Sequence, residues 1–336
     1  MTTNEALAVM EKTRTKAAAT SALDTFFFET ETHRLIRERV FSVLEARETR
    51  LARGLYEQKG AALIGPAGSG KSTMMARVIR EYEEAAVATG GREFGHRIVS
   101  AIVPGKASVK DTCCAVLREI GYPTKGNRTE DYLIDCLRRQ LQHHHIAAIH
   151  LDEIQDAGRY ATEEAMSAFA KRFRNLMQVG PWPVSLILTG TSEGHEFINH
   201  DPTLTRRLRP VEILAMTPEA DGPTLRNAMT KLLAGTGLTD EGLFCLAEFM
   251  PLMMHAAAYR FGLAVEITIE ALSEALEMGD VRVTLDHFAE AYYVRTNSDD
   301  ELNPFLSEHW RGIDTSRAMD RFYQDTNVAK KPRKRK

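Results

Sequence analysis

The chain has 336 residues, of which 43% are hydrophobic and 26% charged, and its formal net charge is −3. This length and composition predict one large folded domain with a smaller companion and a substantial core. No apolar run reaches membrane-spanning length, and the four cysteines show neither metal-ligand spacing nor the density of a disulfide framework. We therefore expect a protein of the reducing cytoplasm that makes no membrane contact.

The positive charge is unevenly distributed along the chain. Six cationic side chains lie within residues 330–336, so the preceding residues carry a formal charge of −9. An acidic body does not attract nucleic acid over its whole surface. Any contact with nucleic acid must therefore be local.

The first predicted elements are a helix, a strand and a glycine-rich loop. Residues 15–53 have helical character, with a capping-type start near Thr30, and residues 61–64 form a short apolar strand. A loop of the pattern G-x-x-x-x-G-K-S follows this strand, and residues 73–84 continue as a helix. The loop consists of Gly65, Pro66, Ala67, Gly68, Ser69, Gly70, Lys71 and Ser72.

This loop is a complete Walker A motif in the structural context that the motif requires. Its backbone N–H groups and the helix N-terminus favour phosphate groups. Lys71 supplies a cation for the phosphates, Ser72 a hydroxyl for Mg²⁺, and Thr73 begins the helix. The sequence therefore predicts a binding site for ATP and Mg²⁺.

The second motif is an acidic pair at the end of an apolar strand. A strand over residues 96–103 is followed by helices over 109–120 and 129–144 and by a strand over 146–151. Asp152 and Glu153 follow this last strand directly. In such a Walker B arrangement the aspartate holds Mg²⁺ and the glutamate activates the attacking water.

Polar residues at the end of the next strand are candidates for orienting that water. A helix over residues 162–179 precedes a strand over 184–191, in which Thr189 and Thr191 point the same way because strand side chains alternate. Either threonine can serve as this sensor 1 residue, and Thr191, nearer the tip, is the first choice. Packing within the strand accounts equally well for Thr189.

Two adjacent arginines precede the last predicted strand, which covers residues 211–214. Arg206 and Arg207 occupy the place where oligomeric ATPases carry an arginine finger, which reaches the γ-phosphate of a neighbouring protomer. A surface ion pair is the alternative interpretation. We favour the finger and leave open which arginine provides it.

From residue 217 onward the pattern is helical, with predicted helices over 218–233, 239–250, 256–278 and 284–294. Arg260 can contact nucleotide from this lid as a sensor 2 residue, or lie at the edge of the lid core. The predicted domains are an N-terminal helical segment (1–53), an α/β ATPase core (54–216), a helical lid (217–296) and a tail with a basic end (297–336).

These motifs resemble the AAA+ ATPases of DNA transposition, specifically the TniB/TnsC family, which is related to the phage Mu B protein. The resemblance rests on Walker A, on the segments at 151–156, 174–178, 188–191 and 205–208, and on an Asn-Pro-Phe at 303–305. It implies an α/β fold, an AAA+ P-loop NTPase core with a parallel five-stranded sheet of the additional-strand type and a C-terminal α-helical lid. His33 lies in a stretch similar to the family segment near the adenine.

The resemblance also implies a function. Such proteins are ATP-dependent regulators that oligomerise as rings or filaments on double-stranded DNA, mark a target site and recruit or activate a DDE transposase, sometimes with a TniQ-type partner. In related assemblies the loops after the second strand and between the next two helices face the DNA. Here these loops carry Lys106 and Lys110, and Lys125 and Arg128, for which backbone contacts with weak sequence specificity are expected. The basic tail is a rival DNA anchor.

Two other classes of function compete with this interpretation. A helicase loader or origin-binding AAA+ protein shares the motifs, but no winged-helix or helix-turn-helix module is evident after the lid. A metabolic P-loop kinase is disfavoured by the Asp152–Glu153 pair, by the tandem arginines and by the lack of an insertion that would bind an acceptor.

Overall fold

The computed structural model describes residues 7, 10, 14, 21–23, 25–105, 108–124, 128–158 and 162–317. They form two compact units. Glu29–Leu214 make up the α/β unit, and the residues up to Phe28 together with those from Ala215 onward make up the helical unit. Most of the segment before residue 21, Lys106, Lys125 and the basic tail lie outside the described residues.

The α/β unit is built on one parallel sheet in the order β2-β3-β4-β1-β5. The fourth strand therefore lies between the strand that precedes Walker A and the strand that ends in Walker B. This order confirms the predicted five-stranded parallel sheet with an additional strand. The strands are β1 (Gly60–Ile64), β2 (Arg97–Ile102), β3 (Ile146–Asp152), β4 (Ser185–Gly190) and β5 (Leu208–Glu212).

Helices connect these strands, and most begin at a residue whose side chain caps them. Thr30, Ser108, Thr129 and Thr162 each accept a hydrogen bond from a backbone N–H in the first turn, as is usual for threonine and serine at this position. The helices are α1 (Glu31–Ala52), α2 (Lys71–Ala88), α3 (Val109–Glu119), α4 (Glu130–His143), α5 (Gln155–Gly158), α6 (Glu163–Leu176), α7 (Gly194–His200) and α8 (Pro202–Thr205).

Two predicted boundaries in this unit are wrong. Residues 21–23 are helical but residues 26–30 are not, so the predicted helix over 15–53 is interrupted, and a separate helix starts at Glu31, where Thr30 caps it. The last strand starts at Leu208 and includes Pro210, whereas the prediction began after the proline. Proline cannot donate to a central ladder, but β5 is an edge strand and tolerates it.

The sheet separates two apolar layers. Alternate residues of β3 and β4 face α1 and α2 on one side and α3, α4 and α6 on the other. All seven residues of β3 and all six of β4 are buried, as is typical of parallel strands covered by helices on both faces. Polar side chains inside these strands are therefore exceptions that need hydrogen-bond partners.

The helical unit contains α9 (Pro218–Ala234), α10 (Phe249–Ala256), α11 (Phe261–Met278) and α12 (Leu285–Thr296) around an apolar core. The predicted helix over 239–250 is wrong. Thr239 instead bridges to Arg282, and Leu243–Cys245 form only a 3₁₀ turn. The predicted helix over 256–278 is divided, because Ala258 and Tyr259 have φ values of 47° and 58°.

The segment after α12 is folded onto the helical unit. Asn303 donates from its Nδ2 to the carbonyl oxygen of Ala289 at 2.8 Å, and Phe305 is buried against Phe288 and Tyr292. Further along, the His255 ring bonds the carbonyl oxygen of Ile313 at 3.0 Å. The start of the predicted tail therefore belongs to the helical core.

Candidate nucleotide site

The glycine-rich loop has the conformation that its sequence requires. A Cβ on Gly65 would lie 2.7 Å from the Cβ of Ile213, so no larger residue fits there. Gly70 caps α2 with a φ of 86°, a conformation that favours glycine. Lys71 is 7% exposed, and its Nζ donates to the carbonyl oxygens of Gly65 at 3.0 Å and Pro66 at 2.8 Å. The ammonium group therefore lies over the concave face of the loop.

The Walker A and Walker B motifs meet at one hydrogen bond. Ser72 donates from its Oγ to Oδ2 of Asp152 at 2.7 Å. A hydroxyl and a carboxylate oxygen in direct contact are the hard ligands that Mg²⁺ prefers, and the phosphate-binding loop lies beside them. The residues present therefore fit a Mg²⁺ ion.

Asp152 is held by several donors. Its Oδ1 accepts hydrogen bonds from the Thr189 hydroxyl and, at 2.9 Å, from the backbone N–H of Glu153. Burial alone would raise the pKa of Asp152, but the hydrogen bonds from Thr189 and Ser72 outweigh it and hold the pKa below its usual value. The carboxylate is therefore ionised and oriented at neutral pH.

A buried histidine continues this arrangement across the sheet. His150 lies two residues before Asp152 on β3, and its Nε2 is 2.9 Å from the Thr189 hydroxyl. Its Nδ1 is 2.8 Å from the hydroxyl of Ser100 on β2. Burial lowers the pKa of His150 to about 4, although Asp152 acts in the opposite direction, so the ring is neutral at physiological pH.

Glu153 has an unusual backbone conformation. Its φ is 58°, in the left-handed region that is uncommon for non-glycine residues. Its carboxylate accepts a hydrogen bond from Nε2 of Gln155, and Oε1 of Gln155 accepts the backbone N–H of Thr191 at 3.0 Å. Gln155 thus links the end of β3 to the end of β4.

The two candidate sensor threonines have different surroundings. Thr189 is fully buried, and its hydroxyl is engaged by both Asp152 and His150. The Thr191 hydroxyl is buried without a hydrogen-bond partner in the described part of the chain. Thr191 lies just after β4, so its hydroxyl is the one left available at the strand tip.

The two candidate finger arginines are also in different environments. Arg207 is 5% exposed, and its guanidinium donates to Glu57 at 2.8 Å and 3.1 Å and to Gln178 Oε1 at 2.6 Å. Arg207 beside Glu57 holds the pKa of that carboxyl below its usual value. The Arg206 side chain is 66% exposed, and its contact with Glu57 is long, at 3.4 Å. Arg206 is therefore the one that can extend away from its own protomer.

Two other predicted nucleotide contacts lie away from the Walker residues or in the other unit. His33 is buried in α1, with its ring nitrogens 3.8 Å from Glu29 and from Glu81. Glu81 follows Lys71 by ten residues on α2, so it lies about 15 Å along the helix axis. Arg260 is the N-cap residue of α11 in the helical unit.

Two of the predicted DNA-contacting cations are described. Lys110 lies in the first turn of α3, and Arg128 precedes the N-cap of α4 with its guanidinium 5.2 Å from the ring of Tyr132. Lys106 and Lys125 lie outside the described residues. Each described cation lies at the start of a helix that follows one of the two predicted loops.

Sequence reasoning missed the supporting residues His150 and Gln155. A signal for His150 was present, since it is a polar residue inside an otherwise apolar strand and two positions before Asp152, on the same face. Gln155 gave no comparable signal, because its role depends on the close approach of β4. A Cβ on Gly190 would lie 2.7 Å from Gln155 Oε1.

Comparison with known proteins supports the fold. Residues 54–198 match the AAA domain family AAA_22. No curated protein matches the sequence significantly. Solved structures similar to the chain include the following three. The Aeropyrum pernix ORC2 protein, in ADPNP–ADP complexes, is 14% identical with a TM-score of 0.59, over 80% of this chain and 69% of that one. The A. pernix ORC1 protein in complex with DNA is 18% identical with a TM-score of 0.57, over 82% and 67%. Cdc6p from Pyrobaculum aerophilum is 13% identical with a TM-score of 0.52, over 74% and 65%.

The chain therefore has the AAA+ P-loop NTPase fold, with an AAA-type domain at residues 54–198 and a helical C-terminal region. The identities are low, so these solved structures support the fold and not a particular activity. In the part of the chain that the structure describes, no helix has the length and apolar character needed to cross a membrane.

Proposed function

We propose that the chain is an ATPase that uses ATP to assemble on double-stranded DNA and thereby regulates DNA transposition. One observation carries the ATPase proposal. Ser72 of Walker A contacts Asp152 of Walker B at 2.7 Å, directly beside Lys71 and Glu153, so residues for phosphate, metal and water meet at one edge of the sheet. This set of residue types is the one that nucleotide hydrolysis requires.

Each side chain has a separate proposed role. Lys71 exchanges its bonds to the loop carbonyls for the β- and γ-phosphates of ATP, and Ser72 and Asp152 hold Mg²⁺, which neutralises phosphate charge when bound. Glu153 accepts the proton of the attacking water as general base. The Thr191 hydroxyl orients that water.

Arg206 is the proposed finger, acting on the γ-phosphate of a neighbouring protomer. Its side chain is 66% exposed, whereas Arg207 is held by Glu57 and Gln178 within the chain. A finger in trans makes hydrolysis depend on a homo-oligomer, as a ring or a filament. His33, which is buried in α1, and Arg260, in the helical unit, are proposed as contacts for the base and for the nucleotide on the family resemblance alone.

The proposed DNA contacts are Lys106, Lys110, Lys125 and Arg128. Lys110 and Arg128 each lie at the start of a helix that follows one of the two proposed loops. One protomer contributes few cations, but an oligomer repeats them along a continuous track. Such contacts reach phosphates and not base edges, so weak sequence preference follows.

The transposition role rests on the resemblance of the motif series to the TniB/TnsC family. Its partners are a DDE transposase and, in some relatives, a TniQ-type targeting protein. The test begins with a search for a DDE transposase gene beside the gene of this chain. It continues with a strand-transfer assay that contains a DDE transposase, ATP and a target plasmid. We expect insertions to require the chain and ATP and to fail with Lys71→Ala. Insertions that are equally frequent without the chain would contradict the proposal.

The second candidate is an origin-binding or helicase-loading ATPase. The structural similarity to the A. pernix ORC1 protein in complex with DNA favours it, although 18% identity supports the fold alone. Footprinting on DNA from the source genome separates the candidates. Protection of one defined sequence would favour the origin-binding alternative, whereas transposition predicts binding with little sequence preference.

A further inference from the structure

The geometry points to His150 as a positioning residue that acts through Thr189 to fix the carboxylate of Asp152. The inference rests on the proposed nucleotide site and assigns a role to a buried group that the proposed mechanism does not otherwise use. Its basis is a continuous row of hydrogen bonds across three neighbouring strands, from Ser100 on β2 to Asp152 at the end of β3.

The carboxylate of Asp152 determines which group donates in each hydrogen bond of the row. Asp152 faces three donors, the hydroxyls of Ser72 and Thr189 and the backbone N–H of Glu153, so its carboxylate is an acceptor. The Thr189 hydroxyl therefore gives its only hydrogen to Asp152. The contact between Thr189 and His150 at 2.9 Å then requires the histidine to donate from Nε2.

The other ring nitrogen of His150, Nδ1, is an acceptor. A neutral imidazole that carries its hydrogen on Nε2 has a bare Nδ1, which accepts a hydrogen bond from the Ser100 hydroxyl at 2.8 Å. Nε2 is a donor in this tautomer and in the protonated ring alike. The link to Thr189 is therefore independent of the charge of the ring.

The consequence is a division of roles between the two oxygens of Asp152. Oδ1 is occupied by Thr189 and by the backbone of Glu153, which leaves Oδ2 directed at Ser72 and the Mg²⁺ site. Without His150, the Thr189 hydroxyl keeps its bond to Asp152 but loses the partner that fixes its own orientation. Partners one shell away from a metal ligand typically change metal affinity by about 10- to 100-fold.

The first test reads the ring directly in protein without nucleotide or Mg²⁺. Nitrogen-15 NMR of the histidine rings, assigned with His150→Gln, should show His150 protonated at Nε2 and bare at Nδ1. Thr189→Val should leave the His150 ring in its place. It should nevertheless shift the Nε2 resonance and speed the exchange of the hydrogen on Nε2 with solvent. A wild-type ring protonated at Nδ1 alone would overturn the inference.

The second test compares nucleotide affinity with and without Mg²⁺. Thr189→Val should weaken the Mg²⁺-dependent gain in ATP affinity about 10- to 100-fold. His150→Leu should weaken this gain by a smaller factor, because the histidine acts on Asp152 through Thr189. Both variants should leave the Kd in EDTA unchanged. His150→Gln should recover most of the gain, because a glutamine amide can donate to Thr189. Thr112→Val removes a buried hydroxyl in α3 that bonds the carbonyl oxygen of Ser108 and not a member of the row, and it should have no such effect.

The outcomes separate this inference from the proposed function. An unchanged Mg²⁺-dependent gain in Thr189→Val, or an equal loss in Thr112→Val, would overturn the positioning role. If His150→Leu does not fold, the Mg²⁺ dependence of Thr189→Val and the ring resonances of the wild type still test the positioning role of His150. Absence of ATP turnover in the wild type would count against the proposed function alone, because neither readout needs hydrolysis.

Discussion

At the scale of single residues, the candidate site separates binding from chemistry. Lys71 lies over the loop and bonds its backbone carbonyls, which a phosphate group would replace as partners. Glu153 lies at the strand end in a left-handed conformation, and its carboxylate is held by Gln155. The lysine is placed to contact the ground state and the glutamate to act on water, so their substitution should have different effects.

Lys71→Ala should weaken ATP binding roughly 10- to 100-fold, since a hydrogen bond to a charged group contributes about 1.5–3 kcal/mol. Glu153→Gln should bind ATP as well as the wild type and lose roughly 10²- to 10⁴-fold in turnover, the usual contribution of a general base. Titration of a fluorescent ATP analogue and single-turnover hydrolysis measure the two effects. Near-normal hydrolysis in Glu153→Gln would exclude it from the catalytic residues.

Substitution of each of the two adjacent arginines should also have a different effect. Arg207→Ala removes hydrogen bonds to Glu57 and Gln178 and should lower the free energy of unfolding by about 2 kcal/mol. Arg206→Ala should change the free energy of unfolding by less than about 0.5 kcal/mol, because the side chain is exposed. The same variant should reduce ATP hydrolysis roughly 10³-fold or more. Denaturant unfolding and phosphate release distinguish stability from catalysis.

A mixing experiment tests whether Arg206 acts in trans. Arg206→Ala and Glu153→Gln should each hydrolyse ATP far more slowly than the wild type when alone, whereas mixed oligomers would contain some interfaces with both native residues. Partial recovery of hydrolysis on mixing is expected. Failure to recover at every mixing ratio would assign Arg206 to its own protomer.

The position of the phosphate-binding loop between a strand and a helix could be predicted from the sequence, because the spacing of its residues is fixed by local backbone geometry, as at Gly65 and Gly70. The sequence left Thr189 and Thr191 open, because the choice depends on which hydroxyl Asp152 and His150 engage across the sheet. It left Arg206 and Arg207 open for the same reason. Glu57 is about 150 residues away along the chain, and no local pattern links it to Arg207.

At the scale of elements, a buried arginine fixes α1 to two loops within the α/β unit. Arg47 is 1% exposed and donates from Nε to the carbonyl oxygen of Pro183 at 2.9 Å and from Nη1 to that of Phe94 at 2.8 Å. Burial lowers the pKa of Arg47 to about 10, so it remains charged at neutral pH. The helix that we predicted as part of a separate N-terminal segment is thus held to the loops before β2 and β4.

Arg47→Ala should lower the free energy of unfolding by about 3 kcal/mol, because two carbonyl oxygens lose a charged donor and the packing beside Trp182 is lost. Arg39→Ala is the matched control, since Arg39 is an exposed arginine of the same helix. Urea unfolding measures both. A loss below about 1 kcal/mol in Arg47→Ala would show that this anchor contributes little.

The segment after α12 makes a similar contribution to the helical unit. Phe305→Ala should lower the free energy of unfolding by about 3 kcal/mol, because the Phe305 ring is buried in the core with its centroid 5.6 Å from that of Phe288. Leu306→Ala is the control, because the neighbouring side chain is 48% exposed. Equal losses of stability in the two variants would contradict the docking of this segment.

Elements with strong periodicity were predicted well, and those set by tertiary contacts were not. Helices α3, α4 and α12 begin within about a residue of their predicted starts, since a capping threonine or serine marks each one. The predicted helix over 239–250 failed because Thr239 pairs with Arg282, a contact between distant residues. The positive φ values at Ala258 and Tyr259 likewise have no sequence signal.

At the scale of the whole molecule, charge limits how the chain can meet DNA. A formal charge of −9 outside the basic tail leaves a few cations repeated in an oligomer, or the tail itself, as the possible contacts. Both would bind phosphates and depend on salt. DNA binding by the repeated cations requires assembly with ATP, whereas DNA binding by the basic tail does not.

Lys106→Ala combined with Lys125→Ala should weaken ATP-dependent DNA binding and flatten its salt dependence by roughly one to two units of slope per protomer. Arg118→Ala with Lys171→Ala removes the same charge from exposed helix positions and is the control. Fluorescence anisotropy at several salt concentrations measures the slopes. Loss of binding only on truncation after Val328 would assign DNA binding to the tail.

The most direct test of the central claim is steady-state phosphate release by the purified chain with ATP and Mg²⁺, measured with and without duplex DNA. The account predicts Mg²⁺-dependent turnover that rises with duplex DNA, shows little dependence on the DNA sequence, and is lost in both Lys71→Ala and Glu153→Gln. Turnover that ignores DNA, or that persists in both variants, would contradict an ATPase that works by assembling on DNA.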